Sequence, residues 1–214
     1  MGGVGSERER TWGGRTLEDR RATRRRQLLD AAYALLGTGG AGAVTVRAVC
    51  RGARLSERYF YESFADREAL LVAVHERVAD EARRAIAAAV AVAPPDPLAR
   101  ATAAVEAFVD LLEEDPRRGR VLLLEALADP SLTRHGIDLL PTFAALVGEQ
   151  IHVAFGPDGP DDADARLTSV ALVGALTHLF LGWLDGRIAV SRTRLVAHAV
   201  RLIVAAAPVS SRDR

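Results

Sequence analysis

The sequence predicts an all-α protein, on three observations. Apolar residues recur at three- and four-residue spacing along most of the chain. No segment alternates polar and apolar at period two, and Pro- and Gly-rich breaks separate the periodic stretches. With 49% of 214 residues hydrophobic, there is enough apolar side chain for a small domain followed by a larger one.

Residues 1–19 are rich in Gly and charge, have little to bury, and read as a disordered basic tail. The first helix opens with Arg20, Arg21, Arg24, Arg25 and Arg26 and then carries Leu28, Leu29, Ala32, Leu35 and Leu36 on one face. A Gly-rich loop over residues 37–42 ends it. Thr45 is placed to cap a two-turn helix whose apolar side holds Val46, Val49 and Cys50. Residues 52–55 interrupt the pattern, and Ser56 offers a second cap for a helix running through Phe64. On that helix Phe60 and Phe64 share the inner face, Arg58, Tyr59 and Glu62 point outward, and Tyr61 lies on the flank. Three short helices so arranged form a helix-turn-helix domain over residues 20–66. Asp66 can cap a fourth, long helix from Arg67 to about Val92.

The segments Thr45-Val46-Arg47-Ala48-Val49-Cys50, Ser56, Tyr61-Glu62-Ser63-Phe64 and Arg67-Glu68-Ala69-Leu70 resemble the TetR (tetracycline-repressor-like) family of bacterial transcriptional regulators, over about fifty residues from Arg21. The resemblance implies a DNA-binding head, a ligand-binding helical body and a homodimer joined through its last two helices. Two positions depart from the family pattern. Arg54 stands at a turn position usually filled by Gly, where a left-handed non-Gly residue costs roughly 1–2 kcal/mol. Ser63 stands where the family often has His.

Charge distribution agrees with a DNA partner. The chain is neutral overall, yet through His75 thirteen Arg stand against nine Asp or Glu, a surplus of four that the remainder cancels. Because phosphate attraction acts within about 8–10 Å, this local surplus decides. Arg58, Tyr59 and Glu62 are therefore expected at base edges of double-stranded operator DNA. Thr45, Arg47, Tyr61 and Arg67 are expected nearer the phosphates, with Arg24 and Arg25 of the first helix, and Ser56 at the head of the reading helix. Arg8, Arg10 and Arg15 would extend this contact as an arm.

Residues 67–214 are expected to form the ligand-binding and dimerisation domain. Prolines at 94, 95 and 97 break the chain, and helices follow over residues 98–114, 116–127, 131–155 with a kink at Pro141, 163–185 and 191–206. The helix over 163–185 is apolar on two sides: Leu167, Val170, Ala171, Gly174, His178 and Leu181 on one, Leu172, Ala175, Leu176, Leu179, Phe180 and Trp183 on the other. The last helix repeats this, with Leu195, Ala199 and Leu202 against Val196, Val200 and Ile203. Two apolar sides need two covers, so a four-helix dimer interface is expected through Leu172, Leu176, Leu179, Val196, Val200 and Ile203. Phe108, Leu112, Phe143, His152, His178 and Trp183 are expected to wall a pocket for a small, mostly apolar effector.

Other chemistries lack their signatures. The one cysteine, Cys50, excludes an internal disulfide, and the five His have no metal-binding spacing. No phosphate loop, nucleophile elbow or catalytic pairing is present, so neither catalytic residues nor a cofactor is expected. The N-terminus lacks a signal-peptide core, and the longest apolar run, 170–184, falls short of the roughly 20 residues a bilayer requires. The resulting expectation is a cytoplasmic, ligand-responsive DNA-binding repressor; the alternative is a helical ligand-binding protein or enzyme on the same fold without DNA binding.

Overall fold

The computed structural model describes residues 17–155 and 160–206, and these are helical with short connections. The proposed arm residues Arg8, Arg10 and Arg15, and residues 156–159, lie outside the described residues. Helix α1 (Leu17–Gly39) buries Leu28, Leu29, Ala32 and Leu36. A 3-10 turn (Ala41–Ala43) leads to α2 (Val46–Ala53), capped by the Thr45 hydroxyl, which accepts from the Ala48 amide at 3.2 Å. Arg54 ends α2 in the left-handed region, at φ 55° and ψ 40°, so the non-Gly turn read from sequence is present. The Leu55 amide returns to the Cys50 carbonyl at 2.9 Å and closes the helix end.

Helix α3 (Glu57–Tyr61) is shorter than expected. Ser63 Oγ donates to the Tyr59 carbonyl at 3.0 Å, and this local bond competes with helix continuation before Phe64. Ser56 begins α3, but its hydroxyl makes no capping bond. Phe60 and Phe64 are nonetheless both buried, with ring centroids 5.9 Å apart, and α3 packs on α1 and α2. Helix α4 (Arg67–Val92) is capped by Asp66, whose carboxylate accepts from Ala69 N at 2.8 Å, and it buries Leu70, Leu71, Val74, His75, Val78 and Ala82.

Asp96 caps α5 (Pro97–Glu114), with Pro97 in the first turn, where its missing N–H costs nothing. The single helix expected over 116–127 is three pieces. They are α6 (Pro116–Gly119), one turn of π-helix (Arg120–Leu124) and α7 (Glu125–Ala128). Helix α8 (Pro130–Phe155) carries Pro141 within it. Helix α9 (Asp162–Leu184) is 23 residues, longer than the apolar run read from sequence because polar residues of its first turns extend it. Among the described residues it is the one helix long and apolar enough to cross a membrane. It lies along α8 instead, burying Ala165, Ser169 and Leu172 on one side. Helix α10 (Arg192–Ala205) packs Leu195, Val196, Ala199 and Val200 against α5. Buried apolar side chains run without a break from Leu28 to Val200, so the helix-turn-helix and the body share one core.

A candidate DNA-reading face and its connection to the helical body

The short helix α3 owes its exposed chemistry to what lies beneath it. With Phe60 fully buried, Arg58 on the opposite side is 84% exposed and Tyr61 58% exposed. Arg47 on α2 is 90% exposed beside them, at 3.7 Å from Glu57. These three form an outward surface together with the exposed Thr45, Ser56 and Glu62.

Four expected contact residues are held differently, Arg24, Tyr59, Arg25 and Arg67. Arg24 is turned onto the ring of Tyr59, 4.4 Å from its centroid, and its Nη2 lies 3.8 Å from Glu62. Glu62 in turn accepts from Arg58 Nε at 3.0 Å. Tyr59 is thus half-buried under Arg24 rather than directed outward, because cation–π stacking and the Glu62 carboxylate both draw the guanidinium inward. Arg25 likewise covers the Phe64 ring at 4.7 Å. Arg67 is the fourth. Its Nε donates to the Val44 carbonyl at 2.7 Å and its Nη2 to the Ala41 carbonyl at 2.5 Å, so its donors face the protein interior and not a phosphate.

Those carbonyls belong to the 3-10 turn between α1 and α2, and further groups converge on it. The Ala41 amide donates to Glu125 Oε2 at 2.8 Å, while Arg120 Nε donates to Glu125 Oε1 at 3.0 Å. Glu125 is 6% exposed, a buried carboxylate satisfied by one backbone amide and one guanidinium. From sequence Glu125, like Glu106 and Asp110, reads only as a carboxylate that could line a cavity, although a lone acid inside VLLLEALA was the available signal for a buried partner. A second tie lies nearby. Tyr33 donates to Asp115 at 2.8 Å, and Arg117 grips the same carboxylate through Nε and Nη2, both at 2.8 Å. The Arg117 bonds hold the Asp115 carboxyl well below the usual range; burial, with the Asp115 bond second, pushes the Tyr33 phenol up to about 12.

The six residues expected around an effector do not meet in one cavity. Leu112 is buried, Phe108 packs edge-to-face on Phe180 at 5.0 Å, and Phe143 and Trp183 pack on the core. Trp183 Nε1 donates to the Val190 carbonyl at 3.2 Å. His178 is exposed, with Nδ1 3.0 Å from the Gly174 carbonyl one turn back, and the half-exposed His152 faces Asp162 at 3.7 Å. A groove of about 690 Å³ lies between α8 and α9, walled by Pro141, Ala144, Gly148, Ala165 and Val170, with His152 at its edge. Of the six, only His152 borders it.

The expected dimer residues need a similar correction. Leu172, Val196 and Val200 are buried within the single chain, because α8 covers one and α5 the others. Leu176, Leu179 and Ile203 are half-buried against the same core. The uncovered apolar side of α9 is the other stripe, with Leu167 70% and Val170 44% exposed and Ala171 and His178 beside them. Among the described residues no cluster of His, Cys, Asp or Glu is arranged to hold a metal ion, and Cys50 is a buried core residue.

Residues 28–74 match the family described as bacterial regulatory proteins, tetR family. No curated protein sequence matches the chain. Among solved structures, the fatty acid degradation regulator FadR from Bacillus halodurans superposes with a TM-score of 0.69 at 18% identity, over 89% of this chain and 97% of that one. A TetR-like transcriptional regulator from Rhodococcus sp. RHA1 gives 0.62 at 20% identity, over 86% and 94%. The multidrug binding protein EbrR, complexed with imidazole, gives 0.65 at 24% identity, over 89% and 98%. The chain therefore carries the helix-turn-helix segment of the bacterial tetR family of regulatory proteins, on the all-α fold of TetR-like regulators.

Proposed function

We propose that the chain is a ligand-responsive, DNA-binding transcriptional regulator, acting as a cytoplasmic homodimer and released from a palindromic operator by a small, mostly apolar molecule. The observation that carries this reading is the α3 surface. Arg58 and Tyr61 stand exposed on a helix seated by Phe60 and Phe64, with Arg47 alongside. Arginine in this setting suits bidentate contact with a guanine edge, and the neighbouring Arg47 suits phosphate. Residues 20–66 read the DNA, and residues 67–214 bind the effector and pair the protomers.

The effector site is the groove between α8 and α9, whose lining is apolar except for Glu149, His152, Asp162, Arg166 and Ser169. Kinship in fold with a multidrug binding protein supports a small-molecule ligand. The partner surface is the bare stripe of α9. A gel shift with the DNA upstream of the protein's own gene tests the reading. Sequence-selective binding that weakens by about three orders of magnitude or more between 50 and 200 mM salt is expected if several phosphates are contacted. No shift at low salt would leave a helical ligand-binding protein that does not act on DNA.

A further inference from the structure

The turn that launches α2 is held from outside the helix-turn-helix. Its Ala41 N–H goes to Glu125, its Ala41 and Val44 carbonyls go to Arg67, and the Thr38 carbonyl just before it receives Arg120 Nη1 at 3.4 Å. Arg67 is itself 3.7 Å from Asp129, so α7 meets the turn through an acid at each end, Glu125 at its start and Asp129 just beyond its last residue. The approach is close: a Cβ added to Gly40, at φ 74°, would lie 2.9 Å from Glu125 Oε1. The turn therefore has glycine where the carboxylate presses against the backbone.

Immediately before Glu125 the helix makes its one π-turn, Arg120–Leu124. A π-turn inserts one residue relative to α-helical register, and one residue corresponds to about 100° of rotation. Glu125 reaches Ala41 only in the register present. His75 of α4, 2% exposed, places Nε2 3.3 Å from the Leu122 carbonyl inside the π-turn, which engages a backbone acceptor of this irregular segment.

We infer that Glu125 is a positioning residue that locks the α1–α2 turn of the DNA-binding domain to the helical body, and that the Arg120–Leu124 π-turn sets that lock. This deepens the regulatory reading and rests on it for its consequence on DNA, but the lock itself is testable without DNA. A change around the π-turn would withdraw Glu125 from Ala41 and uncouple the turn from α7, leaving it tied to α4 through Arg67. Tyr33 to Asp115 and Arg77 to Asp30 at 2.6 Å hold α1 rather than the turn, and Arg67 ties the turn's carbonyls to α4, so none of them replaces Glu125 at the Ala41 amide.

The test is amide hydrogen exchange on full-length wild-type protein, Glu125→Ala and Glu125→Gln. Glu125→Ala should speed exchange at Ala41 by roughly tenfold or more, the size of a lost charge-assisted hydrogen bond. Leu71 and Val74, deep in α4, should be unchanged. Glu125→Gln should fall between, because its amide oxygen can still accept from Ala41. Should Glu125→Ala fail to fold, the Gln variant alone decides. Unchanged Ala41 exchange in the variants, or acceleration spread equally over α4, would overturn the lock. In parallel, DNA from upstream of the gene should bind the Gln variant several-fold more weakly than wild type; equal affinity would overturn the positioning role. Failure of wild-type protein itself to bind this DNA would count against the regulatory reading, and the exchange result would still judge the lock.

Discussion

His75 makes the stability of the protein depend on pH in a defined window. The ring is 2% exposed on α4, and burial, partly opposed by the Leu122 carbonyl and reinforced by His135 at 5.6 Å, pushes its pKa down from 6.5 to about 4. Between pH 4 and 6.5 the unfolded chain binds this proton and the folded chain does not, so stability falls as pH falls across that range. Above 6.5 the ring is neutral in both states and the contribution is complete; below 4 both are protonated and the loss levels off. From these two values, lowering the pH from 7.5 to 5.0 should remove about 2 kcal/mol. With a urea slope of about 2 kcal/mol/M for a chain of this size, the unfolding midpoint should drop by about 1 M. Asp115 and Asp129, both held below the ordinary carboxylate range, lose their contributions at lower pH and do not confuse the window. Urea unfolding of wild type and His75→Leu at both pH values is the assay. The variant loses the Leu122 contact and is less stable throughout, but its midpoint should lose the His75 share of the pH shift. A wild-type midpoint unmoved between the two pH values, or an equal shift in the variant, would refute the reasoning.

Three further outcomes follow from particular residues. Because Arg54 sits at φ 55°, Arg54→Gly should be more stable than Arg54→Ala by about 1 kcal/mol, or about 2–4 °C in a thermal scan; equal melting would mean that the turn relaxes. Arg58→Ala should relax base preference by roughly 1–3 kcal/mol at one operator position while leaving the fold intact, measured by binding to a set of single-base operator variants; unchanged preference would move the reading face elsewhere. Val170→Glu should give folded monomers in sedimentation, since it charges the bare stripe of α9, whereas Val200→Glu should unfold the body; dimers that survive Val170→Glu would reject the proposed partner surface.

How far the sequence could be read depended on the range of the interaction. Thr45 and Asp66 announced their helices because a cap bonds an amide three residues away, and Phe60 and Phe64 marked a core face by their spacing. Arg54 at the end of α2 was likewise visible as a turn lacking its glycine. The functional face was less legible, since Arg24 and Arg67 look like phosphate ligands until Tyr59, Glu62 and the Ala41 and Val44 carbonyls arrive from elsewhere in the fold. Both sides of α9 and of α10 are apolar at helical period, so periodicity could not say which side the chain would cover itself. Packing against α8 and α5 chose Leu172, Val196 and Val200. The π-turn is invisible for a related reason: Val121 to Leu124 are apolar throughout, and an unbroken apolar run carries no register.

The central claim, that the exposed surface of α3 reads DNA from two paired protomers, is tested most directly by hydroxyl-radical footprinting of the full-length protein on the DNA upstream of its gene. The account predicts two protected half-sites related by a two-fold axis, with centres spaced to suit successive major grooves, roughly 34–36 Å or a multiple apart. Protection should be lost at the same protein concentration with Arg47→Ala combined with Arg58→Ala. A single unpaired footprint, protection that survives both substitutions, or no protection at low salt would contradict it.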